Sequence, residues 1–373
     1  MKTKPEDIYQ QDLIENQRGI VFSVTDDSCA GSAIGAVCKY VPARYTIGWK
    51  EVIRWGIKED CCRVSHGRNY VAVSKRTPNA FNAMMDLEPT YVRMGTNYKK
   101  MLLEVPYRDI VKTYSAKEKL VSVLTKSNVS PIEQDLLNAV SIISNCGIPS
   151  SELGVSGSIL FDATRPFSDL DLVVYGARNS RKLYEAYPDF LSSPGVNAST
   201  VRSTNARRAA TILQTDNVSK ERRNKRKLKK ALLSITQEGR TILRRVQCEC
   251  IRMKSELPAR FEEYMYVPIG ETIISSRVSN DDESFVRPAR YKIEDVKIIK
   301  WPLGDGQEML SVLNKIGSNV SSCISSVNRI EIEEIVGSNI IGIARTDDIL
   351  KAKGILEFVQ TPCRKYFRLS VEN

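Results

Sequence analysis

Asp169 and Asp171 stand two residues apart, alternating with Leu170 and Leu172 and leading into Val173-Val174-Tyr175. Acids alternating with leucine and then yielding to an apolar run predict a β-strand. Residues i and i+2 of a strand share a face, about 7 Å apart along it. The two carboxylates therefore open onto one space, where like charges call for a cation. Magnesium or manganese is the expected occupant, because a hard divalent ion takes oxygen ligands and shares phosphate oxygens. Upstream, Gly157-Ser158 precedes Ile159-Leu160-Phe161, and ten residues separate Ser158 from Asp169. A short helix opening there turns backbone N–H groups toward an anion. Gly157 has no side chain to keep a phosphate off the backbone, and Ser158 offers a hydroxyl donor. A phosphate cradle beside a carboxylate pair is what metal-assisted phosphoryl or nucleotidyl transfer requires.

Residues close by extend the candidate site. Arg178, Arg181 and Lys182 follow Gly176 directly and are candidates to grip a triphosphate. Asp162 and Arg165, between the Gly-Ser pair and the acids, read as turn residues before they read as nucleotide contacts. Trp49 and Trp55 read as packing rather than a base-stacking platform.

The composite of Gly157, Ser158, Ser168, Asp169, Leu170, Asp171 and Leu172 resembles the signature of the nucleotidyltransferase superfamily that includes DNA polymerase beta and the CCA-adding enzymes. The resemblance implies that Asp169 and Asp171 hold the catalytic metal ions and that Gly157 and Ser158 hold nucleotide phosphates. It also implies a third carboxylate on a neighbouring strand. Glu249, within Arg245–Arg252, is the candidate; a solvent-facing edge glutamate is the other reading of it. Over more of the chain, Leu103-Glu-Val-Pro106, Gly154–Ser158, Ser168–Gly176 and Ser284–Tyr291 look like a group of archaeal predicted nucleotidyltransferases with extra N- and C-terminal segments. That likeness implies an archaeal-type cytoplasmic protein.

Composition removes rival chemistries. The chain of 373 residues has one histidine, His66, in a polar run beside Gly67, so Ser-His-Asp, Cys-His and His-rich zinc sites have almost nothing to build on. Its nine cysteines include no C-x-x-C pair and, with no secretory signal expected, read as reduced, mostly buried thiols. No run approaches the roughly 20 apolar residues of a membrane span, and cytoplasmic location is the expectation.

The net charge of +11 is local: Arg202–Arg245 carries 14 basic residues against 3 acidic, while the rest of the chain is balanced. Its centre, Lys220–Lys230, has helix-forming residues without Gly or Pro. A helix cationic nearly all round suits phosphate neutralisation and predicts nucleic-acid contact there.

Around these residues the pattern predicts three parts in an α+β protein. A β-rich region covers 1–114, a nucleotidyltransferase (polymerase beta-like) α/β core covers 115–265 with the basic segment at 202–245, and a β-rich, OB-like domain covers 266–373. Helices are expected after Ser115, from the capping box with Glu118, and after Ser130, from Pro131 and Glu133. Short strands are expected at Val246–Met253, Glu271–Ser275, Ile293–Trp301, Ile330–Val336, Ile340–Ala344, Lys353–Val359 and Tyr366–Val371. The expected function is magnesium-dependent transfer of NMP from an NTP, ATP among the candidates, to an acceptor left open among RNA, DNA, protein and small molecules. The alternative is a non-catalytic nucleic-acid-binding module on the same fold.

Overall fold

A computed structural model describes residues 7–26, 32–46, 55, 62–73, 77–94, 101–186, 196–197, 213–215, 230–237, 240–257, 265–300, 331–338, 340–361 and 363–371. The protein is a strand-rich α+β chain with several sheets. None of the described helices is long and apolar enough to cross a membrane. Contacts divide it into two compact units, with 1–175, 188–197 and 231–262 in the first and 176–187, 198–230 and 263–373 in the second. Residues 1–114 fall in the first unit with much of the expected core, of which 176–187, 198–230 and 263–265 fall in the second.

The first sheet comprises β1 (Leu13–Asn16), β2 (Val21–Asp26), β3 (Ala33–Pro42), β4 (Cys62–Ser65), β5 (Arg68–Ala72), β6 (Val92–Met94), β7 (Met101–Pro106) and β8 (Ile110–Tyr114), with helix α1 (Thr77–Leu87) between β5 and β6. Strands β1 and β3 are buried along nearly their whole length because both of their faces are covered. Ile14, Phe22 and Val41 pack with Ala83 and Met84 of α1, whereas their neighbours Leu13, Val21 and Tyr40 pack with Phe161, Val173 and Tyr175. Trp55 is buried and donates to Asp86 at 2.8 Å, as packing requires, and Trp49 lies outside the described residues.

Two capped helices follow, α2 (Ala116–Leu124) and α3 (Pro131–Asn145). The Ser115 hydroxyl accepts from the Glu118 N–H at 3.3 Å, and buried Asp12 accepts from the Ala116 N–H at 2.8 Å. At α3 the Ser130 N–H donates to Glu133 at 2.7 Å, which completes the capping box. Then come β9 (Leu153–Val155), the single turn α4 (Gly157–Leu160), β10 (Leu170–Tyr175) and α5 (Ala177–Glu185). Strands β11 (Val196–Asn197), β12 (Leu213–Thr215), β13 (Lys230–Gln237) and β14 (Arg240–Ile251) complete the middle of the chain. The second sheet runs β11-β13-β14-β10-β9, with β9 antiparallel and β14 parallel to β10. Lys220–Lys229, expected to be helical, lie outside the described residues; Lys230 opens β13.

In the second unit, β15 (Met265–Asn280), β16 (Ala289–Lys300), β17 (Ile332–Gly337), β18 (Ile349–Gln360) and β19 (Lys365–Ser370) form a ring. β15 pairs with β16, β16 with β17, β17 with β19 in parallel, β19 with β18, and β18 again with β15. Alternate residues such as Ile274, Tyr291, Ile335, Leu356 and Phe367 fill its interior. β12 extends β18 at Leu350–Ala352, so the approach to the basic segment is tied to this barrel. Helix α5 belongs here too: Arg181 pairs with Asp281 at 3.1 Å and Asp282 at 3.2 Å, and Tyr184 packs on Phe285 at 4.8 Å. One expected strand, Ile340–Ala344, is instead a turn through Gly342 at φ +61. Its apolar residues cap the barrel core. The Tyr291 hydroxyl holds the turn, donating to the Ile340 carbonyl at 2.7 Å and accepting from the Ile343 N–H at 2.9 Å.

Candidate active site

Gly157 follows β9 by two residues and adopts φ +71, in the left-handed region that favours glycine. Its neighbour Ser156 donates its N–H to the Asp171 carbonyl at 2.7 Å, which locks the entry to α4 against β10. The side chain of Asp171 lies directly on the Gly157 backbone. A Cβ at 157 would overlap its carboxylate oxygen and come within 2.9 Å of its carboxyl carbon. The Gly-Ser pair and the second acid, distant in sequence, thus meet in space. Ser158 sits beside them as the second residue of α4.

Asp169 is held from behind. Arg165 and Ser168 close a turn through two hydrogen bonds, the Ser168 N–H to the Arg165 carbonyl at 2.9 Å and the Arg165 N–H to the Ser168 hydroxyl at 2.8 Å. Arg244 donates to the Ser168 carbonyl at 2.7 Å and to Asp135 of α3 at 2.6 Å; both charged side chains of that pair are only 5% exposed. The same turn is tied to the first sheet, since Arg165 donates to the Cys62 carbonyl at 2.6 Å and the Ser65 hydroxyl to that of Phe161. Around the Phe161 ring stand Tyr40 at 4.8 Å, Tyr70 at 5.0 Å, Tyr114 at 5.3 Å and His66 at 5.9 Å. His66 occupies the turn between β4 and β5 and stacks on Tyr114. Burial pushes the Tyr40 phenol up, with the Arg63 guanidinium opposing and the Asp171 carboxylate reinforcing. Asp162 takes a left-handed conformation and pairs with Lys119 at 2.5 Å, the turn role expected of it.

The parallel register of β10 and β14 sets Asp171 opposite Gln247 and Val173 opposite Glu249. Paired residues share a face, so Glu249 lies on the face of the acids, one step farther along. Its carboxylate accepts from Gln247 Nε2 at 2.7 Å. Arg245 reaches Asp169 at 3.3 Å, both side chains about two-fifths exposed. Among the described residues, no three His, Cys, Asp or Glu side chains are grouped to hold a metal ion. Glu249 lies on the strand beside the acids, with Gln247 as the residue paired with Asp171. Arg178, Arg181 and Lys182 lie on α5 and are grouped with the barrel, where Arg181 is engaged by Asp281 and Asp282 and Arg178 is exposed.

No family model matches the chain, and no solved structure matches it. It is similar to an archaeal protein, the uncharacterized protein MJ1086 of Methanocaldococcus jannaschii. The two are 24% identical over 290 residues, which is 76% of this chain and 80% of the relative.

The sequence reading missed the pair Arg244 and Arg245. Their signal was present as a double arginine at the mouth of a strand, but it was counted with the basic segment. One of the two is buried structure, and the other faces an acid of the site. The geometry offers two hard-oxygen carboxylates, a serine hydroxyl and a close backbone approach. Carboxylates and a hydroxyl are oxygen donors of the kind that magnesium or manganese takes.

Proposed function

We propose that the chain is a magnesium-dependent nucleotidyltransferase that moves NMP from an NTP to an acceptor hydroxyl. The acceptor oxygen bonds to the α-phosphorus as the bond to the bridging oxygen breaks, and pyrophosphate leaves. The observation that carries this reading is the seat of the Asp171 carboxylate on Gly157, which joins the phosphate cradle to the acid pair. Asp169 and Asp171 would hold the metal, and Gly157 and Ser158 would face the triphosphate. When bound, the ion neutralises charge developing on the phosphates and lowers the pKa of an attacking hydroxyl. The closed five-stranded ring of β15–β19 fits an OB-like barrel and supports RNA as the acceptor class. The test is incorporation of labelled α-phosphate from each NTP into RNA, DNA and protein with magnesium or manganese. Asp171→Asn should abolish it without changing the melting temperature, and full activity in that variant would sink the metal assignment.

One observation favours a second reading, a non-catalytic nucleic-acid-binding module. On β14 the residue paired with Asp171 is Gln247, and Arg245 ion-pairs with Asp169, so an amide and a cation stand against the two acids and the candidate Glu249 lies one step farther along. This reading expects no label from the wild type and RNA affinity that survives loss of both acids.

A further inference from the structure

We propose that Phe167 is a nucleobase-stacking residue of this site, an inference that rests on the nucleotidyltransferase reading. Phe167 is 87% exposed, more than any other large apolar side chain among the described residues. A single exposed apolar side chain is ordinary on a protein surface, so a role for this one rests on where the ring stands. It sits two residues before Asp169, at the tip of the turn closed by Arg165 and Ser168. That turn is not a loose loop: Arg244 grips the Ser168 carbonyl, Arg165 grips the Cys62 carbonyl, and Pro166 fixes its own φ. A ring on so firm a mount loses little freedom when something flat settles on it.

The residues that flank Phe167 in the chain are polar or charged rather than apolar, Pro166 apart. Thr164 and Pro166 are exposed, Ser168 and Asp169 are half-buried, and the guanidinium of Arg245 lies on Asp169. A protein partner would need an apolar patch wider than one ring. A nucleobase needs one ring's width, with cations nearby for the phosphates attached to it. Stacking tolerates any base, because every base has a π-face. The base can belong to the NTP or to the end of an acceptor strand, and the experiment separates these.

The full chain with magnesium is titrated with ATP, with a short oligoribonucleotide and with inorganic tripolyphosphate, for the wild type, Phe167→Ala and Phe167→Trp. Loss of one stacked base is expected to weaken binding about 5- to 150-fold. Phe167→Ala should do this to ATP if the base is the donor's, or to the oligoribonucleotide if it is the acceptor's. Tripolyphosphate affinity should stay within about twofold, and Phe167→Trp should restore the loss. Because the side chain is exposed, an unchanged melting curve checks that the fold is intact. Equal affinities of wild type and Phe167→Ala for both base-bearing ligands would overturn the stacking role while leaving the phosphate site standing. A wild type that binds none of the three probes would overturn the nucleotidyltransferase reading, and the stacking role with it.

Discussion

Gly157→Ala tests the joint between the cradle and the acid pair. Two costs follow from the structure. An alanine at φ +71 is strained by about 1–2 kcal/mol, offset by about 0.4–1 kcal/mol from its stiffer unfolded chain. The new Cβ would also stand 2.9 Å from the Asp171 carboxyl carbon, where carbon pairs rest at roughly 3.5–4.0 Å, so the carboxylate must retreat by roughly 0.6–1 Å. The backbone figures net to about 0–1.6 kcal/mol before the collision is added, and each kcal/mol lowers the melting temperature of a unit this size by roughly 2–4 °C. The activity loss should be far larger, because a misplacement of about 1 Å at a reacting centre costs about 100-fold. Scanning calorimetry and the kcat for labelled NMP transfer read the two effects separately. In an Asp171→Ala background the colliding oxygen and carboxyl carbon are gone, leaving the backbone strain and a milder 3.1 Å contact with the Cβ of residue 171, so Gly157→Ala should cost less there. Equal thermal cost in both backgrounds, or wild-type kcat in the single variant, would refute the proposed seat of Asp171 on Gly157.

Three further outcomes are expected. Arg244→Ala strands the buried Asp135 carboxylate and frees the Ser168 carbonyl, so it should cost about 3–5 kcal/mol in urea unfolding; the Arg244→Ala/Asp135→Ala pair should lose clearly less than the sum of the singles. At Glu133, burial opposes the charge, yet the Ser130 N–H and the Lys126 ammonium hold the carboxyl below its ordinary value. A depressed carboxyl stabilises the fold above its unfolded pKa and loses that contribution as pH falls through the folded one. Glu133→Gln should therefore be less stable than wild type by about 1 kcal/mol at neutral pH, with the gap narrowing below about pH 4.5 in a melting series. Tyr291→Phe leaves the Ile340 carbonyl and the Ile343 N–H without the phenol between them, and should cost the barrel about 1–3 kcal/mol in the same assay.

Local signals with a single physical cause were legible from the residues. Ser115 with Glu118 and Ser130 with Glu133 each announce a helix start, and both helices begin there. Asp169-Leu-Asp171 announces a strand, and β10 runs from Leu170, with Asp171 in it and Asp169 immediately before it. What pattern reading could not supply was long-range. β15 was legible only as Glu271–Ser275 because Pro268 and Gly270 interrupt its alternation, yet register with β18 carries it through 16 residues. Ile340–Ala344 has strand composition, but Gly342 at positive φ and the Tyr291 hydroxyl, bonded to Ile340 and Ile343, hold it as a turn against the barrel core. Glu249 was selected as an acid in a strand. Whether it lies opposite Asp171 or one step past depends on the β10–β14 register, which no local feature encodes.

The division of the chain into units also bears on heredity and engineering. The backbone passes from one unit to the other five times, first at Gly176, immediately after the strand that bears the acids. The barrel keeps α5 and β12 as its own parts although both are encoded upstream of β15. A stop codon at 263 would remove β15–β19 and leave α5 without Phe285, Asp281 and Asp282, and β12 without β18. Recombination could not hand this barrel to another protein as a cassette. The two units must be inherited, expressed and exchanged together, because a junction within residues 176–263 parts elements that pack in one unit.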